Sequence, residues 1–132
     1  MAFQFSDAAR NAALDAVETA IGTTPILEIR SGAAPANCAA ADSGTVLATM
    51  TLPSDWMAAA SGGSKAKSGT WQDVSADATG TAGHFRIKDS GGTTCHIQGS
   101  VTATGNGGDM TLDNTSIASG QTVTINTFTI SN

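Results

Sequence analysis

The sequence predicts a mainly β protein, a jelly-roll-like β-sandwich of seven or eight strands with one N-terminal α-helix. Three observations lead there. Short β-like runs separated by Gly, Pro, Asn and Ser clusters fill residues 26–130. Gly, Ser, Thr and Ala dominate a composition that has no Tyr and is only 13% charged, which favours thin layers joined by many turns. Helical periodicity occurs once, before the first of those runs. A chain of 132 residues has enough apolar side chains for one core. The expected organisation is therefore a single domain, with an arm at residues 1–5, a helix at 6–21 and the sandwich at 26–130.

The arm carries Phe3 and Phe5, two of the four Phe residues, on a terminus that ought to fray. Something must cover them, either their own domain or a neighbouring subunit. Ser6 or Asp7 can accept the free amides of a helix start, and Leu14, Val17 and Ile21 follow at spacings of three and four. Gly22 closes the helix and Pro25 prevents its restart. Its Ala-rich flank would allow close packing on a sheet or on a second copy of itself.

Residues 26–30 form the first expected strand, and residues 31–44 a long connection crossing between sheets. Residues 45–52 alternate, with Val46, Ala48, Met50 and Leu52 on one face and Leu47, Thr49 and Thr51 on the other. Pro53 ends the run, and Trp56 is placed to plug one end of the core. Residues 61–69 read as a mobile loop bearing Lys65 and Lys67. A strand around Trp71 follows. Residues 83–89 set Phe85 and Ile87 against a charged, solvent-facing row of His84, Arg86 and Lys88. Residues 94–103 return as the second half of a hairpin, with Cys95, Ile97, Val101 and Ala103 sharing a face. Residues 109–112 and 121–130 complete the set. In the last run the apolar face switches between Ile125 and Phe128, which calls for a bulge or a crossing between sheets.

Catalytic chemistry is not expected. Adjacent strand residues point to opposite faces, so His96 can activate Cys95 only across a local distortion. His84 and His96 could face each other across the hairpin, but no third ligand stands at a metal-binding spacing. The glycines of residues 105–108 connect strands and cradle no phosphate. No cofactor and no small-molecule substrate are implied. Cys38 and Cys95, the only cysteines, are expected as two buried free thiols, with pairing left open.

A net charge of −5 argues against nucleic acid, whose phosphates need clustered Lys and Arg. No run approaches the roughly 20 apolar residues of a membrane helix, and the N-terminus lacks a charged leader, so a soluble start in the cytoplasm is expected.

Residues 5–12 (Phe5-Ser6-Asp7-Ala8-Ala9-Arg10-Asn11-Ala12), 30–38 (Arg30-Ser31-Gly32-Ala33-Ala34-Pro35-Ala36-Asn37-Cys38) and 52–57 (Leu52-Pro53-Ser54-Asp55-Trp56-Met57) resemble small virion proteins of tailed phages. Residues 82–89 and 94–99 look like the same group. The resemblance implies a non-enzymatic capsid cement or decoration protein on the capsid surface, assembled in the host cytoplasm. Its partners would be the major capsid protein and further copies of itself, as a homotrimer. The candidate contacts are Phe3, Phe5, Lys65 and Lys67. The alternative is a tail-associated or fibre-tip protein that binds a host surface, with Trp56 and Trp71 as candidates for stacking on sugars.

Overall fold

Helix α1 (Asp7–Ile21) forms where its capping signals stand. The Ser6 hydroxyl accepts the Ala9 amide at 3.2 Å, and Gly22, at φ +91°, ends the helix by donating its own amide to the Glu18 carbonyl. The computed structural model describes residues 3–131 and is mainly β, a β-sandwich with this one helix. Leu14 and Ile21 are buried and Val17 packs against the core, whereas Ala8, Ala9, Ala12, Ala13, Ala16 and Ala20 face outwards.

The strands are β1 (Ile26–Ser31), β2 (Val46–Thr51), β3 (Ser64–Ala66), β4 (Trp71–Asp73), β5 (Gly80–Lys88), β6 (Cys95–Ala103), β7 (Met110–Leu112), β8 (Ser116–Ile117), β9 (Val123–Ile125) and β10 (Thr129–Ser131). That is ten among the described residues rather than seven or eight. Two short strands, β3 and β8, lie where loops were expected. The break between β9 and β10 falls where the apolar face switches, because the two segments pair with different partners, β4 and β3.

One layer is a six-stranded sheet in the order β2-β1-β5-β6-β7, with β8 beside the start of β5. The ribbons β10–β3 and β4–β9 complete the sandwich. A row of aromatic rings joins the layers: Trp56 lies 6.0 Å from Trp71, Trp71 lies 5.6 Å from Phe128, and Phe128 meets Phe85 edge-on at 5.5 Å. Trp56 plugs the core as expected, fully buried, with its indole N–H donating to the Gly22 carbonyl at 3.0 Å. The β5–β6 hairpin is also present, with Ile87 opposite Ile97 and Arg86 opposite Gln98.

Three bulges reset what simple alternation predicts. Leu47 is the unpaired residue between the Ile29–Ala48 and Arg30–Val46 pairs, and it is buried rather than aligned with exposed Thr49 and Thr51. Gly83 is extra between Ala82 and His84. A β-carbon there would stand 2.2 Å from the Gly32 carbonyl oxygen, so only glycine lets the two backbones approach. His96 is extra between Cys95 and Ile97, which turns Cys95 away from the face that Ile97 shares with the core.

The largest departure concerns the charged row of β5. His84, Arg86 and Lys88 are 0%, 2% and 4% exposed, so β5 is buried on both faces. Residues 32–45 do not cross between sheets. They join the neighbouring strands β1 and β2 and fold back over the sheet's outer face, supplying carbonyls and Asp42 to the charges beneath. The charges of Arg86 and Lys88 can be buried because each finds a partner, and the sequence pattern of β5 does not say which loop brings them.

Candidate interaction surface

The surface most open to a partner is at the N-terminus. Phe3 and Phe5 are 85% and 58% exposed and stack edge-on with centroids 5.0 Å apart. Their own domain leaves both rings largely in water, and the alanines of α1, which follows them in the chain, are exposed as well. Met1 and Ala2 of the expected arm lie outside the described residues.

The two lysines do not form a loop surface. Residues 64–66 form β3, paired with β10, and Lys65 is 2% exposed. An ammonium has three protons to donate. Lys65 gives them to Asp15 at 2.6 Å, Glu18 at 2.8 Å and the Ala58 carbonyl at 2.8 Å, leaving no donor for an outside partner. Burial pulls its pKa down, but the hydrogen bonds to Asp15 and Glu18 outweigh it and leave the amine above its ordinary value. Lys65 therefore fastens α1 to the sandwich and leaves the candidate surface. Lys67 is half-buried, donating to the Gly69 carbonyl at 2.7 Å while lying 5.6 Å over the Trp71 ring.

The outer face of the main sheet holds a polar network, centred on Asp42, that sequence reasoning missed. Arg86 donates to Asp42 at 2.7 Å, to the Asn37 carbonyl at 2.9 Å and to Gln98 at 2.9 and 3.1 Å. Lys88 donates to Asp42 at 2.7 Å and Glu28 at 3.0 Å. Arg30 reaches Glu28 at 2.9 Å and Asp42 at 3.2 Å. Asp42, the one carboxylate shared by all three cations, is held below the usual carboxylate range, first by the Lys88 hydrogen bond and then by Arg86. Lys88 is raised: burial opposes its charge, and Asp42 and Glu28 more than restore it. The signal that could have exposed this site is the cross-strand register, which sets Glu28 opposite Arg86 and Arg30 opposite His84.

Four of the six Lys and Arg residues, Arg30, Lys65, Arg86 and Lys88, are thus buried in internal pairs. Of the others, Arg10 pairs with Asp7 and Lys67 lies over Trp71. The described surface carries no row of free cations of the kind that binds phosphate.

The histidines are not neighbours. His84 is opposite Ser100, with Nδ1 2.9 Å from the Gly32 carbonyl, while His96 is the exposed bulge residue. The bulge does supply a distortion beside Cys95. That thiol nevertheless contacts Cys38, with the sulfurs 2.6 Å apart, and the Ile97 carbonyl at 3.5 Å. Burial, then Cys38, pushes the Cys95 thiol up to about 12, against the pull of Arg86 and Lys88. Both cysteines are free and half-buried rather than fully buried. Among the described residues no three His, Cys, Asp or Glu converge as a metal site, and no helix is long and apolar enough to cross a membrane. Trp56 and Trp71 are fully buried and present no face to a sugar. No family model, curated protein or solved structure matches the chain.

Proposed function

We propose that this chain is a capsid cement protein of a tailed-phage particle, a non-enzymatic domain that bridges major capsid protein subunits and copies of itself. The exposed pair of Phe3 and Phe5 carries the proposal. Two aromatic rings left in water contribute little to a solitary domain and gain where a neighbour covers them, at roughly 25 cal/mol per Å² of apolar area. The exposed alanines of α1, which follows them in the chain, permit close approach of a flat partner. The choice of a phage particle rests on the resemblance stated for residues 5–12, 30–38 and 52–57. Internal use of four of the six cations leaves an acidic exterior, which suits a protein partner better than nucleic acid.

In this role no single contact needs to be strong. Many symmetric copies on one shell make modest interfaces adequate, because each attachment raises the effective concentration of the next. Quantitative mass spectrometry of purified particles tests the proposal. A cement protein is present at hundreds of copies per particle, whereas a handful of copies would make it a tail component and end the cement assignment.

A further inference from the structure

We propose that Cys38 and Cys95 form a redox latch, a dithiol that closes to an intrachain disulfide under oxidising conditions and pins the connection of residues 32–45 over the charged face of the sheet. The two sulfurs stand 2.6 Å apart across 57 residues of sequence. Closure needs a movement of only about half an ångström, since a disulfide bond is ~2.05 Å long. The bulge at His96 is what turns Cys95 towards the loop, and the run 37–42 that carries Cys38 also delivers the Asn37 carbonyl and Asp42 to Arg86. The chain has no third cysteine to compete. An open cleft of about 390 Å³, lined by Cys38, Asp42, Arg86, Thr94 and Cys95 among others, gives a small oxidant access to the pair.

The oxidant is a low-molecular-weight disulfide. One cysteine thiolate attacks it, breaking its S–S bond and releasing one small thiol. The second cysteine attacks the resulting mixed disulfide, forms the Sγ–Sγ bond and releases the second small thiol. The protein loses two protons and two electrons, and the oxidant gains them as it becomes two small thiols. A reducing compartment keeps the latch open and an oxidising one closes it. The cross-link then holds the loop by a bond that does not depend on the charge of Asp42. This inference is independent of the partner proposed above.

The test uses the full chain, incubated with oxidised glutathione or with dithiothreitol. Oxidation is expected to take titratable thiols from two per chain to none, to lower the intact mass by two hydrogens, and to leave a monomer on a non-reducing gel. The melting temperature should rise by roughly 10 °C and return on reduction, because closing a loop of this length removes open-chain conformations from the unfolded ensemble. Cys38→Ser and Cys95→Ser should each abolish that rise. Two thiols surviving oxidation, a disulfide-linked dimer in place of the internal bond, or an undiminished rise in either Ser variant would each overturn the latch.

Discussion

The outer face of the main sheet and the N-terminal arm are both places where the sequence alternates awkwardly with water, and the fold treats them in opposite ways. Over the sheet, a long loop closes on Arg30, Arg86 and Lys88 and brings them Asp42 and backbone carbonyls, while Glu28 on β1 and Gln98 on β6 complete their partners. At the arm, two Phe rings touch each other and remain mostly in water. The difference separates charges that the fold must satisfy from apolar surface that it leaves open. Burial of an unpaired charge is so unfavourable that the chain must satisfy it internally, whereas an exposed apolar ring can await a neighbour.

Substitutions can break or sharpen that contrast. Phe85→Ala, on the apolar face of β5, should destabilise the isolated protein by about 4 kcal/mol in denaturant unfolding, since its ring joins the main sheet to Phe128. Asp42→Ala should lower stability by about 3 kcal/mol, because three cations then lack their shared carboxylate; the partial exposure of Asp42 places the loss at the low end for a broken buried pair. A loss well below 1 kcal/mol would mean that the loop does not secure the charged face. Gly83→Ala should destabilise by about 2 kcal/mol through collision with the Gly32 carbonyl, and the loss should appear as a lower midpoint with an unchanged slope. Phe3→Ala and Phe5→Ala should change monomer stability by less than about 0.5 kcal/mol while weakening attachment to particles in a co-sedimentation assay.

The charged face also predicts a pH profile. Asp42 is depressed in the folded state, so its contribution is complete above the ordinary carboxylate value near 4 and is lost as pH falls through its lowered value. Lys88 is raised, so its contribution is complete below about 10.4 and is lost as pH climbs through its folded value. Stability measured by urea titration should therefore be flat from about pH 4 to the ordinary thiol value near 8.5, fall at the acid end with Asp42, and fall at the alkaline end first as the raised Cys95 thiol loses its contribution and then with Lys88. Asp42→Asn should lower the plateau and flatten the acid limb.

Much of the scaffold was legible because local patterns carry it. The cap at Ser6, the spacing of Leu14, Val17 and Ile21, the alternation of β5 and the switch between Ile125 and Phe128 each state their structure within a few residues. What escaped depends on distant partners. Strand β3 is three residues long and exists because β10 pairs with it, and Lys65 is buried because α1 brings Asp15 and Glu18 to it. The bulges at Leu47 and His96 arise from register between strands, which alternation along one strand does not record. Of the candidate contacts, Phe3 and Phe5 stand on the surface, Lys67 is half-covered and Lys65 serves the interior. The Asp42 network stayed hidden because His84, Arg86 and Lys88 look like an ordinary solvated row until the loop above them is placed.

On the proposed function, the arm works between molecules while the charged face works within one. Cryo-electron microscopy of the assembled particle tests it most directly. Regular density for this domain on the shell at local three-fold positions, with Phe3 and Phe5 buried against a neighbouring subunit, is the expected result. Density confined to the tail, or an arm facing solvent in every copy, would contradict it.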